Sequence, residues 1–345
     1  MAIYRIISLY LGLWWVLGCQ APAEERILAR KSENAFVDTN VLPLQEDAIM
    51  SDASIYGDLP DSVVAELKLM DSLLLLSDAK IKKIAAEKES LETAYWLDIA
   101  ALDTVSLEHW EDLKSGHFKQ QQLSFDNVQS IYQSNFKQVK QLLATQGIYS
   151  FDIDLYLRAF KEEGRLELWA KPKTKKHYTL ITSYPFYQGT SRLGPKRRQG
   201  DHQVPEGIYY IDYFNPESTF KISLRLNYPN AADKIRNAKE ADLGGAICIH
   251  GTDASIGCLA ITDLRIPNVY ILATEAKDKG QQEIPIHIFP TRLTWDNMEA
   301  LNNRFADNKE FRDLWASMAP IYTYFEKNQA LPNIEITAKG IYSLK

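Results

Sequence analysis

Cys248-Ile-His-Gly-Thr-Asp-Ala-Ser-Ile-Gly-Cys-Leu-Ala-Ile-Thr262 is the stretch from which both fold and chemistry can be read. Ala246-Ile-Cys-Ile-His250 reads as a short buried strand that ends by presenting an imidazole, and Gly251 lets the chain turn sharply after it. A short loop then returns a thiol, Cys258, towards that imidazole. A free thiol has a pKa of roughly 8.5, so only a few per cent is ionised at neutral pH; a neighbouring imidazole can take its proton and later hand it to a leaving amine. The pattern predicts a cysteine acyl-transfer site with no cofactor and no metal.

The flanking sequence reads as a β-rich unit. Leu166-Glu-Leu-Trp-Ala170 and Lys175 to Ile181 alternate apolar with polar residues, and Ile208-Tyr-Tyr-Ile211, Phe220-Lys-Ile-Ser-Leu224 and Ile284-Pro-Ile-His-Ile-Phe289 read as further strands. Pro285 predicts that the last of these lies at a sheet edge or starts irregularly. Pro267 to Ala276 is expected to be a helix. Upstream, Asp61 to Leu143 holds Gly116 as its only glycine and no proline, and Val64, Leu67, Leu73, Leu76 and later Phe136, Val139, Leu143 recur at helical spacing. Asp61 or Ser62 can cap the first of several helices. Trp96, Trp110 and Tyr132 are expected to fill the core of this helical region. The fold class predicted is α+β: a compact β-rich unit over 149–345 with a C-terminal helical extension, preceded by a helical domain over 60–148.

The N-terminus gives an address. Ile3 to Gly18 is apolar apart from Arg5 and Ser8, too short for a comfortable span, and ends in Val16-Leu17-Gly18-Cys19-Gln20. Residues 1–18 read as a bacterial signal peptide with a lipobox, Cys19 as the lipidated residue and 19–59 as the lipidated N-terminus and tether. Gln20 favours an outer-membrane anchor facing the periplasm, so the expected location is the cell envelope with membrane contact through the lipid. The formal net charge is -6, and loss of Arg5 with residues 1–18 takes it to -7. No basic tract points to nucleic acid. With Cys19 lipidated only Cys248 and Cys258 remain, which excludes a disulfide-stapled scaffold; a bond between those two would block Cys258.

Within the loop, Ser255 can bond the backbone and fix its shape, and Gly251 and Gly257 leave room for the turn and for a substrate carbonyl. Backbone N–H groups at Gly257, Cys258 and Leu259 are candidate oxyanion donors. Asp253 is a candidate to orient His250, a role a backbone carbonyl fills equally well. Cys248, two residues before His250, can share its face and is expected to be dispensable to the chemistry.

His250-Gly251 followed by Ser255-Ile-Gly-Cys258, with Leu-Ala-Ile-Thr-Asp263 behind it, resembles the active-site motif of the L,D-transpeptidase (YkuD-like) family, and in particular its YafK-like branch. Leu193-Gly-Pro-Lys196, Gly200-Asp201, Pro205-Glu-Gly-Ile-Tyr209, Asn227-Tyr-Pro-Asn230 and His287-Ile-Phe-Pro290 match further landmarks in order, so the resemblance covers about residue 150 to the C-terminus. It implies a β-rich, sandwich-like catalytic domain with short helices, with Cys258 as the nucleophile, His250 its base, and peptidoglycan stem peptides containing a diamino acid such as diaminopimelate the substrate, through a thioester acyl-enzyme. An amine acceptor then gives a cross-link or attaches a lipoprotein, and water gives hydrolysis; one member of the branch detaches a murein-bound lipoprotein, so a murein-linked lipoprotein is a second candidate partner.

The chain departs from the more familiar family pattern at Ile256 and Ala260, where a His and an Arg or Asn are usual, so substrate carboxylates must be bound elsewhere. Lys196, Arg197, Arg198 and Arg225 are the candidates for that, and Asp201 and Tyr228 are further candidate substrate-binding residues. Two other readings compete: a zinc site on Cys248, His250 and Cys258, cramped for a tetrahedron, and a non-catalytic peptidoglycan-binding lipoprotein. Transfer and hydrolysis share the acyl-enzyme, and the sequence leaves the choice open.

Overall fold

The apolar alternation between 153 and 289 condenses into one eight-stranded sheet in the computed structural model, which describes residues 82, 83 and 85–345. The expected signal peptide, Cys19, the tether and the first helix caps at Asp61 and Ser62 lie outside the described residues. A first helix, α1, runs over 85–102. It is followed by α2 (His117–Gln122), α3 (Asp126–Ala144), β1 (Ile153–Phe160), β2 (Arg165–Pro172), β3 (Thr179–Pro185), β4 (Gly207–Ser218) and β5 (Lys221–Leu226). Then come α4 (Ala231–Arg236), β6 (Cys248–His250), β7 (Leu259–Ala260), α5 (Ile266–Asp278), β8 (Ile284–Phe289), α6 (Trp295–Arg304), α7 (Lys309–Asn328) and the small hairpin β9 (Ile334–Ile336) and β10 (Tyr342–Leu344). The α+β class predicted from the sequence is the class observed.

The sheet order is β3-β2-β1-β8-β4-β5-β6-β7, antiparallel except for the parallel pairs β1·β8 and β6·β7. Side chains alternate between its two faces. One face carries Leu155, Leu157, Leu168, Ile286, Ile288, Ile211, Leu224 and Ile249, packed into a core with Val128, Ile131 and Leu143 of α3 and Val269 and Leu272 of α5. The other face is covered over β1 and β8 by the C-terminal helices, where Phe160 and Phe289 meet Trp315, Met318 and Tyr322. Over β5 and β6 that second face is where His250 and Cys248 stand.

Helices α1 to α3 share the sheet's core rather than building one of their own, with Tyr95, Leu102, Val128 and Leu143 all in the same buried cluster. Residues 85–345 accordingly form one compact unit, and residue 148 falls inside a continuous core. Trp96, expected in the core, is instead 55% exposed: its neighbour Tyr95 takes the inward position, and successive helical residues point about 100° apart. Trp110 packs edge-on to Phe151, and Tyr132 is buried.

Other expectations are adjusted by pairing. The strand read from Lys175 begins at Thr179, because Lys175 is held in a turn by its N–H bond to Pro172 O. β8 is interior, between β1 and β4, so Pro285 is not on an edge strand; its pairing with β1 begins only at Ile286, which leaves the missing N–H of Pro285 on an unpaired side. Among the described residues no helix is long and apolar enough to cross a membrane.

A buried ion pair ties the C-terminal helices to the segment before β4. Lys161 Nζ lies 3.0 Å from Glu206 Oε1, both side chains fully buried, and Lys161 also donates to Gly194 O and Val204 O. Glu206 accepts from Gly194 N–H at 2.8 Å and from Trp315 Nε1 at 2.6 Å. Burial pushes the Lys161 pKa down and Glu206 opposes it. Removing one member strands the other charge, so Glu206→Ala should lower unfolding stability by about 3–5 kcal/mol. Arg304→Ala, which breaks an exposed pair with Glu162, should cost less than about 1 kcal/mol. Urea titration of both variants checks the contrast.

Candidate active site

β6 lies between β5 and β7, and its apolar Ile249 faces the main core, so Cys248 and His250 on either side of it must face the other way. β7 runs parallel to β6 with Ile249 opposite Leu259 and His250 opposite Ala260. The same register carried back one residue puts Cys258 beside Cys248, roughly one strand spacing of about 4.8 Å away. Both cysteines are free thiols. The Cys248 N–H points at Cys258 Sγ, 3.4 Å away, and both sulfurs lie close to Ala246 O.

His250 is buried and its ring stacks on Phe220, centroids 4.0 Å apart. Nδ1 lies 2.5 Å from Gly251 O; a carbonyl only accepts, so Nδ1 carries the hydrogen and Nε2 is left as the lone-pair nitrogen. The His250 side chain stands beside Cys258 and favours its thiolate. The orienting group is thus a backbone carbonyl. Asp253 is turned away, 2.5 Å from Lys88 Nζ on α1.

The loop between the two residues is held from inside. Ser255 Oγ accepts from the Gly257 and Cys258 N–H groups at 3.1 and 2.7 Å and donates to Cys258 O at 2.7 Å. Two of the three N–H groups expected to face an oxyanion are therefore directed at Ser255, and the third, Leu259, lies in β7 where it is paired with β6. Gly257 has φ +132°, and a Cβ there would meet Gln203 O at 3.1 Å. Asp263 Oδ1 accepts from Thr252 N–H, and a Cβ on Gly251 would run into that same oxygen. Ile256 projects outward, 76% exposed.

The thiol's environment favours the anion. The hydrogen bond from Cys248 is the largest cause, burial opposes it, and the bonds from His250 and the Cys248 backbone reinforce it, so Cys258 is lowered to about 5. Cys248, as the donor to that anion and itself partly buried, is pushed up far above its ordinary value. Cys258 is the thiol that ionises because the imidazole and the backbone N–H both face it.

The candidate substrate-binding residues separate into groups. Lys196 is buried against Asp201 at 2.6 Å, and Asp201 also accepts from the Arg197, Arg198 and Gln203 N–H groups. Burial pushes the Asp201 carboxyl up, but Lys196 and these donors outweigh it and hold it low. This pair shapes the loop that packs on Gly257. Arg197 reaches Glu310 at 2.5 Å, Arg198 is exposed, and Tyr228 is buried with its hydroxyl donating to Leu243 O. Arg225 stands opposite Cys248 on β5 and is half-exposed. Phe220, Asp263, Lys88 and Ala246 were not singled out from the sequence; only Asp263 carried a signal there, as the end of the Thr-Asp motif. Among the described residues no group of three His, Cys, Asp or Glu side chains is arranged to hold a metal ion. A groove of about 600 Å³ beneath β9 and β10, lined by Tyr210, Asn227, Lys234 and Ile334, includes neither His250 nor Cys258.

Residues 154–279 match the L,D-transpeptidase catalytic domain family, YkuD. The chain is 33% identical to YafK of Escherichia coli (strain K12) over 184 residues, which cover 53% of this chain and 70% of YafK. The chain belongs to the L,D-transpeptidase (YkuD) family of enzymes and to its YafK-like branch. Among solved structures it is similar to the helical cell shape determining protein Pgp2 from Campylobacter jejuni. That match has 14% identity, covers 54% of this chain and 74% of Pgp2, and has a TM-score of 0.33. Bd1075 of Bdellovibrio bacteriovorus matches at 22% identity over 50% of this chain and 62% of that one, TM-score 0.28.

The pH dependence of thiol alkylation tests the site's electrostatics. With Cys258 at about 5, its reaction with iodoacetamide should persist down to about pH 5 and fall below it. Cys248→Ala and His250→Ala each remove a donor to the anion, so each should move the midpoint upward. An unchanged midpoint in both variants would show that neither group touches the thiolate.

Proposed function

We propose that the protein is a cysteine-dependent L,D-transpeptidase that acts on diamino-acid-containing peptidoglycan stem peptides through a thioester on Cys258. The observation that carries this reading is the pairing of a thiol disposed to ionise with an imidazole whose Nδ1 is occupied by Gly251 O. The Cys258 thiolate attacks an amide carbonyl, and its proton is held on His250. His250 returns that proton to the departing amine as the carbon–nitrogen bond breaks, leaving the thioester. An acceptor amine, losing its proton to His250, then attacks the thioester and frees Cys258. Water in the place of the amine gives hydrolysis, and an amidase acting on diaminopimelate-linked peptide or murein–lipoprotein bonds is the second reading. It is favoured by the partial exposure of Cys258, which lets water reach a thioester there.

The protein is further proposed to be anchored through a lipid on Cys19 to the outer membrane, facing the periplasm, with the tether 19–59 giving reach to the wall. Retained radiolabel from a palmitate analogue in Cys19→Ala would contradict the anchor.

Cys258→Ala should abolish turnover of muropeptides and labelling by electrophiles while leaving the thermal unfolding transition within a few degrees of wild type, since the loop residue is only partly buried. His250→Ala should cost at least about 10²- to 10⁴-fold in rate. Mass spectra of muropeptides decide the outcome class: joined dimers or exchanged amino acids support transfer, and gain of water without exchange supports hydrolysis. Full activity in Cys258→Ala would overturn both.

A further inference from the structure

Two rows of side chains cross β4, β5 and β6 towards the thiol. Tyr213 stands opposite Arg225 and Arg225 opposite Cys248, while Asn215 stands opposite Ser223 and Ser223 opposite His250. Cross-strand partners project to one face, here the face opposite Phe214, Leu224 and Ile249 of the core. Arg225 is gripped by Asp212, Nε to Oδ1 at 2.9 Å and Nη2 to Oδ2 at 3.1 Å, and its guanidinium carbon lies 5.2 Å from the centre of the Tyr213 ring. Both charged groups keep contact with solvent, 45% for Arg225 and 28% for Asp212.

An exposed ion pair is ordinarily worth little and needs no function. Three observations set this one apart. The register of β4 against β5 shifts between Ile211 and Tyr213, and this bulge takes Asp212 out of the alternation so that Asp212 and Tyr213 are both exposed and both meet the guanidinium. Bulges of this kind re-aim side chains and concentrate beside active sites. Second, Lys196 holds Asp201 and Arg197 holds Glu310, and of the basic candidates Lys196, Arg197, Arg198 and Arg225 only Arg225 is register-paired with β6. Third, the two bonds to Asp212 use only two of the five guanidinium N–H donors.

We infer that Arg225 and Asp212 form a clamp for a zwitterionic amino-acid head on the acyl-donor peptide, the head's carboxylate on Arg225 and its ammonium on Asp212, with Tyr213 lying against the guanidinium. The inference rests on the proposed attack of Cys258 on a peptide carbonyl and adds what holds the peptide. β5 lies two strand spacings from β7, roughly 10 Å, and an arginine side chain bridges part of that distance. A diamino acid in extended form separates the carbonyl under attack from the head at its far end by five carbon–carbon bonds, roughly 6 Å. A site with one charge of each sign at that distance selects a diamino acid whose distal centre bears both groups over lysine, which bears the ammonium alone. It also supplies the carboxylate recognition that Ala260, in place of a basic or amide side chain, cannot.

The test is a comparison of kcat/KM for tetrapeptides that carry free diaminopimelate, the same residue amidated at its distal carboxyl, or lysine, using wild type, R225Q and D212N, with iodoacetamide labelling of Cys258 as the control. Wild type should prefer the free head by about 10- to 100-fold, the range expected for loss of a charged hydrogen bond. R225Q should lose that factor on the free head alone and keep its labelling rate within twofold. D212N should weaken all three peptides, since each keeps the ammonium, and should have no effect once that amine is acetylated. Turnover with undiminished preference in R225Q overturns the clamp alone. Equal loss on all peptides in R225Q together with slowed labelling also overturns it, by making Arg225 structural. Failure of wild type to process any peptide while Cys258 labels normally overturns the peptide chemistry and the clamp with it.

Discussion

The register of β6 between β5 and β7 is the constraint on which the site depends. Leu224, Ile249 and Leu259 are fully buried on one face, against α5, and a slip of one residue would send all of them to the other face and bring Cys248 and His250 into the core. The burial of those apolar side chains, each worth about 1.5–3 kcal/mol, therefore sets the position of the imidazole and of the thiol beside it. The strand that carries His250 and the thiol of Cys258 come from segments joined by a short loop. The parallel pairing of β6 with β7 returns that loop at the spacing a hydrogen bond between side chains requires.

Around this pair, the second face of the sheet is divided. Over β1 and β8 it is sealed by α6 and α7, and the Lys161–Glu206–Trp315 network carries that seal to the segment that ends in Val204. The same segment holds Asp201 with its donors and packs Gln203 O against Gly257. Over β5 and β6 the face is left open, with Arg225, Asp212 and Tyr213 on its floor. A buried ion pair adds little net stability as a pair, yet its loss is costly, so it acts here as a geometric tie between the C-terminal helices and one wall of the site.

The helices before the sheet belong to this arrangement. α1 meets the catalytic loop through Lys88 with Asp253, and it meets the turn between β7 and α5 through Tyr95 Oη with Leu264 O and through Leu91 O with Arg265 Nη2. The Arg265 guanidinium is buried, lies 5.0 Å from the centre of the Tyr95 ring, and bonds Thr262 Oγ1, so the turn is clasped between α1 and α5. A helical region that reads in sequence as a separate spacer is, over 85–144, one layer of the same core.

Much of this was legible in the sequence because it depends on local periodicity or on a short motif. Residues 284–289 are the strand the alternation predicts, α5 covers the predicted helix 267–276, and His250-Gly251 with Ser255-x-Gly-Cys258 brings imidazole and thiol together within one loop. The features that depend on partners distant in the chain were not legible. β1 is buried on both faces and so lacks the period that marks a strand. Trp96 and Tyr95 are equally apolar, and only the packing of α1 decides which of them turns inward. Asp253 lost its candidate role because a lysine far away in sequence lies within reach, and Gly257 and Cys258 direct their N–H groups at Ser255 rather than at a substrate. The sequence alone determined which residues are candidates for the chemistry, since thiol and imidazole are defined by type and spacing. Only the tertiary structure decided their surroundings, because the hydrogen bonds and charges that set an ionisation or a clamp are made by strands brought together by burial of their opposite face.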